Sequence, residues 1–189
     1  MAVAVLAVQG AFMEHRRMLA RLGVDSIEIR CLQDMRRPID ALILPGGEST
    51  VQGKLLRELG LYAPLQAQIK NGLPVFGTCA GLILLAKKIA GESHCHFGTM
   101  DICAHRNAYG RQLGSFQMKA PFDDMKDVPM RFIRAPYIGS VGEGVEVLAK
   151  IDGRIVAARQ GNQLACAFHP ELTDDTRIHR YFLRMAHII

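Results

Sequence analysis

Val3 to Val8 is an unbroken apolar run with no polar alternate, a pattern that fits a parallel strand buried on both faces rather than a half-exposed antiparallel one. A helical stripe follows, Phe12, Arg16, Leu19 and Leu22 at three- and four-residue steps, and Gly23 stops it. Strand-like runs recur at Ser26–Arg30 and Ala41–Leu44, the latter closed by Pro45-Gly46-Gly47. Helical patterns cover Val51–Leu59 and Pro64–Lys70, with Asn71-Gly72 as a stop. Pro74–Thr78 then reads as a strand running directly into a helix over Ala80–Ala90. Strand–helix alternation of this kind implies right-handed βαβ units and a doubly wound, mostly parallel sheet.

From about Phe97 the rhythm shortens. Strand-like pieces at 99–104, 116–120, 130–133, 145–148, 154–158 and 164–167 are separated by Gly and Pro, and several are expected to pair antiparallel, extending or covering the sheet. Ile151-Asp152-Gly153-Arg154 reads as a tight hairpin turn. The last element carries Ile178, Tyr181, Phe182 and Met185 on one face, a closing amphipathic helix entered through Thr173-Asp174-Asp175. No repeat, low-complexity tract or linker interrupts the 189 residues, which predicts one α/β domain over residues 1–189.

The formal net charge of +5 is spread over isolated pairs such as Arg16-Arg17, Arg36-Arg37 and Lys87-Lys88. With no Trp and four Tyr to stack on bases, this argues against nucleic acid as a partner. Five cysteines at irregular spacing do not suggest a disulfide framework. The apolar start lacks a basic leader and is too short to span a membrane, so a reducing cytoplasm is expected.

Chemistry concentrates where strands end. Gly77-Thr78-Cys79-Ala80-Gly81 joins a strand to a helix. Small flanking residues permit a sharp turn that exposes the thiol, and the helix aims free N–H groups at it, favouring the thiolate and offering an oxyanion site around Ala80. Alone, the motif also fits a buried free cysteine at a Gly-rich turn. Ninety residues on, Phe168-His169-Pro170-Glu171 ends another strand with an imidazole and a carboxylate two positions apart. That is the base and orienting acid a thiol nucleophile needs, although a strand-end His beside a solvated Glu would look the same. Leu44-Pro45-Gly46-Gly47-Glu48-Ser49-Thr50 and Gln9-Gly10 leave two further strands, and their glycines can present N–H groups to an anion. In open α/β sheets ligands bind in the crevice beyond the carboxyl ends of the strands.

Taken together, Gly-Thr-Cys-Ala-Gly around Cys79, Leu-Pro-Gly-Gly-Glu-Ser-Thr and His-Pro-Glu resemble the class I (triad) glutamine amidotransferases. Val8-Gln9-Gly10, the segment from Arg106 to Gln112, Ile133-Arg134-Ala135-Pro136 and Gly153–Ala158 extend the likeness over nearly the whole chain. Many members of the class have Gln where this chain has Ile83, and that difference favours the branch serving as glutaminase subunits of pyridoxal 5′-phosphate synthase. The resemblance implies a flavodoxin-like three-layer fold with helices on both sheet faces. It also implies hydrolysis of L-glutamine to glutamate and ammonia, with the ammonia passed to a synthase (lyase) subunit in a large hetero-oligomer. It assigns Cys79 as nucleophile, His169 as base and acid, and Glu171 as the orienting carboxylate. Gly47, Glu48, Ser49, Arg106, Ile133 and Arg134 would bind glutamine. Gln9, Gly10, Gly46, Gly47 and Ala80 would surround the oxyanion hole, adjusted when the synthase docks. No cofactor and no metal are implied.

Two positions depart from the family pattern beside the expected glutamine site: Tyr137 where His is usual and Ala108 where Ser is common. His94-Cys95-His96 with Cys103 and His105 could be drawn as a zinc site, but the spacings match no standard zinc pattern and a surface loop is expected there. Two rival readings stay in view. Another cysteine-elbow α/β enzyme would not be expected to combine the Pro-Gly-Gly-Glu-Ser loop with His-Pro-Glu, and a non-catalytic regulatory subunit would be expected to lack a triad residue.

Overall fold

A computed structural model describes residues 1–106 and 115–189. Strands β1 (Val3–Leu6), β2 (Ser26–Ile29), β3 (Ala41–Leu44) and β4 (Val75–Thr78) lie parallel in the order β2-β1-β3-β4. They alternate with helices α1 (Phe12–Arg21), α2 (Ser49–Glu58) and α3 (Tyr62–Lys70). β12 (Gln163–Cys166) adds in parallel beside β4, so the chain's last strand occupies the fifth position of a 2-1-3-4-5 order. β1, β3 and β4 are buried at every residue, as an apolar run with no polar alternate requires.

The helices cover both faces, and neighbouring residues of β4 show how. Phe76 points to one side and meets His15 of α1 and Phe182 of α5 (Arg177–Met185). Gly77 points to the other, where a Cβ would collide with the backbone of Gly81 and Leu82 in α4 (Ala80–Leu85). Gly81 is held as closely from its own side, since a Cβ there would strike the carbonyl of Leu44. A methyl at Gly81 therefore has to push two main-chain segments apart. We expect Gly81→Ala to cost roughly 2–3 kcal/mol of stability in urea unfolding, in the upper part of the usual range of overpacking and larger than a surface change.

Beyond β12 the sheet turns antiparallel through β11 (Arg154–Gln160) and β9 (Tyr137–Val141) to β6 (Met100–His105), with β10 (Glu146–Ile151) paired to β11. The 151–154 turn is the expected tight hairpin, with Asp152 and Gly153 both at positive φ (48° and 77°) and Ile151 opposite Arg154. β7 (Ser115–Phe122) and β8 (Met125–Ile133) form a separate two-stranded sheet.

Four readings of the sequence need correcting. The helix after Cys79 ends at Leu85, not Ala90, and Ala86–Ile89 becomes β5, parallel to β6. Tertiary pairing there overrides local helix propensity, and the buried–exposed–exposed–buried pattern of Ala86-Lys87-Lys88-Ile89 keeps both lysines in solvent. β9 escaped notice because Gly139 and Ser140 sit in its middle. The inner face of α1 is His15, Met18 and Leu19 rather than a stripe through Arg16, which is half-exposed and ion-paired to Glu28 at 2.6 Å. The buried face of α5 likewise includes His179 and Leu183, with Tyr181 and Met185 only partly covered.

Candidate active site

Cys79 stands between β4 and α4 with φ 48° and ψ −97°, in the left-handed half of conformational space that a non-glycine residue enters at a cost. What holds it there is the packing of Gly77 on Gly81 together with a hydrogen bond from the Cys79 backbone N–H to the Cys166 carbonyl, 2.8 Å away on β12. The thiol is thereby turned out of the sheet, with Sγ 3.9 Å from the Ile133 carbonyl and the side chain on a cavity wall.

β12 delivers the second group. After Cys166 the chain continues through Ala167 and Phe168 to His169, whose backbone N–H is bonded to the Arg131 carbonyl of β8 at 2.8 Å. Pro170 starts a single 3₁₀ turn, Pro170–Leu172, that brings Glu171 back under the imidazole. His169 Nδ1 and Glu171 Oε1 are 2.7 Å apart, and both residues are buried. Nδ1 being engaged, Nε2 is the nitrogen left to serve Cys79, which shares the cavity wall with His169. Burial alone would lower the basicity of His169. The hydrogen bonds with Cys79 and Glu171 and the negative charge of both partners outweigh it and hold the imidazole above its ordinary pKa.

The cavity measures about 520 Å³, the size of a small-molecule site. It is lined by Cys79 and His169 and by Gln9, Gly47, Glu48, Ser49, Ala80, Arg106, Ile133 and Arg134, all singled out from the sequence, together with Ile83 and Pro136. Ile83 lies one helical turn after Cys79 on α4, and Pro136 ends the Ile133–Pro136 segment. Both could have been read as wall residues from those spacings. Arg106 donates to Ser49 Oγ and to Glu92, which fixes the guanidinium at the cavity edge, and Arg134 enters it from a backbone at φ 45°.

Gly10 and Gly46 are not among the lining residues, and they brace the rim instead. Gly46 donates its N–H to Thr78 Oγ1 (3.0 Å), and its carbonyl accepts from Ala11 N–H (3.0 Å). A Cβ at Gly46 would run into the His169 ring, and one at Gly10 (φ 102°) into the Gly46 carbonyl. Gln9 Oε1 accepts the Glu48 N–H at 2.9 Å, while the Gln52 amide donates to the carbonyls of Gln9 (2.9 Å) and Pro45 (3.1 Å). These bonds lock the loops after β1 and β3 together. Tyr137 lies outside the cavity wall, stacked on His105 at 4.6 Å. Ala108 and the rest of the segment to Gln112 lie outside the described residues.

Among the described residues no group of three or more His, Cys, Asp or Glu is placed to hold a metal ion, and His94 and His96 only meet edge to face, at 6.3 Å. Sequence reading passed over two buried histidines behind the triad. His15 and His179 are fully enclosed, and desolvation holds both below the ordinary imidazole pKa, His179 at about 3. Each protonates in the unfolded chain below pH ~6.5 but resists protonation in the fold. Their folded pKa being depressed, the stability they contribute is complete above ~6.5 and is lost as pH falls from there. For His179, held at about 3, the loss by pH 5 is about 2 kcal/mol, and His15 adds to it in the same direction. Urea midpoints at pH 7 and pH 5 check this, and the difference is expected to be smaller in His179→Gln than in the wild type.

A strand order of 2-1-3-4-5, with a cysteine elbow after the fourth strand and His-Pro-Glu after the fifth, is the architecture of a glutamine amidotransferase fold. Residues 5–188 match the SNO glutamine amidotransferase family, and the chain belongs to that family. It is 61% identical over 185 residues to the pyridoxal 5′-phosphate synthase subunit PdxT of Methanocorpusculum labreanum, covering 98% of this chain and 97% of the relative. It is 55% identical to the PdxT subunit of Streptococcus pneumoniae, covering 98% and 97%. A crystal structure of a glutamine amidotransferase superposes with a TM-score of 0.92 at 46% identity, covering 98% of both chains.

Proposed function

We propose that this chain is a glutaminase that hydrolyses L-glutamine within a pyridoxal 5′-phosphate synthase. The observation that carries the proposal is the meeting of Cys79, after β4, with His169, after β12, on the wall of one cavity, with Glu171 held against the imidazole from behind, in a chain of this family. Cys79 gives its thiol proton to His169 Nε2 as the sulfur attacks the side-chain amide carbon of glutamine, and the carbonyl π electrons move to oxygen. The N–H groups of Gly47 and Ala80 on the cavity wall receive that oxyanion. As the C–N bond breaks, His169 Nε2 gives a proton to the departing ammonia and leaves a γ-glutamyl thioester. Water, deprotonated by the same nitrogen, attacks the thioester carbon, and glutamate leaves as the thiol is restored.

Among the described residues Arg106 and Arg134 are the guanidinium groups lining the cavity, and a guanidinium fork suits the α-carboxylate of glutamine. Arg134→Ala is expected to raise KM for glutamine roughly 10-fold or more with a smaller change in kcat, measured by ammonia release at varied glutamine.

Ammonia freed into water near neutral pH becomes ammonium, which is not a nucleophile, so the product is useful only if it passes directly to an acceptor site. We place that acceptor on a synthase subunit docked in a larger hetero-oligomer. The five cysteines are all free, which suits a reducing cytoplasm, and no helix among the described residues is long and apolar enough to cross a membrane. The test is ammonia release and cofactor formation from glutamine with and without the synthase subunit. Turnover stimulated by the synthase is expected. Equal glutaminase rates with and without it, and no glutamine-dependent product in the mixture, would remove the assignment to this assembly.

A further inference from the structure

The triad leaves one buried carboxylate oxygen without a hydrogen bond. Glu171 Oε1 serves His169, but among the described residues Oε2 has no hydrogen-bonding partner. His15 Nε2 lies 3.6 Å from it, longer than a hydrogen bond, with both side chains fully enclosed. The same His15 nitrogen lies 3.1 Å from Thr78 Oγ1, beside the nucleophile, and His15 Nδ1 lies 2.9 Å from His179 Nε2 on α5. Phe76 stands edge-on to both imidazoles, at 6.0 and 5.7 Å, and closes them from solvent. α1 and α5 therefore each place a histidine in a line that runs His179, His15, Glu171, His169, Cys79.

A neutral imidazole has one N–H, so the two histidines can be arranged in two ways. If His15 carries its proton on Nδ1, its Nε2 lone pair can accept from the Thr78 hydroxyl but also faces the Glu171 carboxylate, and His179 must keep its proton on Nδ1. That nitrogen is buried with no acceptor, so the cost falls at both ends of the line. If His15 carries it on Nε2, the N–H points at Thr78 Oγ1 with its positive end toward Glu171 Oε2. His179 donates Nε2–H to His15 Nδ1, and only an acceptor lone pair is left unused on His179. Thr78 Oγ1 has two lone pairs, one for Gly46 N–H and one for His15, so it can accept both.

We infer that His15 is a positioning residue of the glutaminase. Held in its Nε2–H tautomer by His179, it sets the rear oxygen of Glu171 and, through Thr78, the Gly46 loop against which His169 is packed. His15 touches neither substrate nor the reacting atoms. The ionisable groups around it are His179 from α5, Glu171 from the 3₁₀ turn and His169 from the end of β12, with both histidine charges opposing its own protonation. The inference rests on the triad reading above.

The experiment compares His15→Leu, His15→Gln and Cys79→Ala, each as the full chain assembled with the synthase, by kcat, KM and the pH profile of kcat/KM. His15→Gln keeps an N–H donor, and His15→Leu does not. His15→Leu is expected to lose about 10- to 100-fold in kcat with KM within about twofold, and to shift the alkaline limb of the profile. His15→Gln is expected to recover most of the loss. A purely structural histidine would lower the unfolding midpoint in both variants and leave kcat and the profile of the folded fraction unchanged, which overturns the inference. Nitrogen NMR of the histidine-labelled wild-type chain reads the tautomer directly and does not depend on a variant folding. An Nε2–H signal for His15 is expected, and an Nδ1–H signal refutes the arrangement. Turnover that survives Cys79→Ala would fail the triad itself, whereas loss in Cys79→Ala with full activity in His15→Leu would fail only the inference about His15.

Discussion

Cys79→Ala is expected to lower glutamine hydrolysis by the assembled enzyme at least ~10⁴-fold, while use of added ammonia by the synthase stays near the wild-type rate. Cysteine stands at φ 48° because the elbow forces it there, and alanine tolerates that backbone no worse, so the loss is chemical and not a failure to fold. Without sulfur there is no atom to form the thioester, and the remaining cavity can only bind glutamine and polarise its amide. Cys79→Ser keeps an oxygen at the same place but removes the soft nucleophile, and it is expected to recover little of the loss.

Glu171→Gln is expected to cost roughly 10²–10⁴-fold in kcat with little change in KM. The substitution preserves shape, but its effect on hydrogen bonding is large. His169 Nδ1 now meets either an amide N–H, which forces the imidazole into the wrong tautomer, or a neutral carbonyl, which cannot stabilise the imidazolium. The upward pull on the His169 pKa has burial working against it and Cys79 and Glu171 working for it, so removal of one carboxylate charge should bring that pKa down. The alkaline limb of kcat/KM should accordingly move to lower pH in Glu171→Gln, and its stability advantage at acidic pH should shrink. A raised histidine contributes most below its unfolded pKa and loses that contribution as pH climbs through the folded value.

The parallel half of the fold was legible because its cues are local. β1, β3 and β4 are short apolar runs, and each ends in a glycine-bearing turn that cannot be a helix interior. The site followed from the same places, since Gln9, Gly47, Cys79 and His169 all stand just beyond strand ends. The sequence signals failed where partners are distant. Ala86–Ile89 has helix-compatible residues and becomes a strand only because β6 lies alongside it. Tyr137–Val141 is a strand despite Gly139 because that glycine lets the His105 ring lie against it. His15 and His179 are 164 residues apart, and nothing in either helix's pattern announces that their rings meet. A polar residue on an apolar helix face is meaningful only once its partner is known.

The central claim is that Cys79 carries the γ-glutamyl group in turnover. Rapid acid quench of the assembled enzyme during glutamine hydrolysis, followed by intact-mass and peptide analysis, tests it most directly. The account predicts a transient adduct of one glutamyl group on the peptide containing Cys79, absent from Cys79→Ala. Undiminished ammonia release by Cys79→Ala, or a glutamyl adduct on Cys166 or another residue in the wild type, would contradict it.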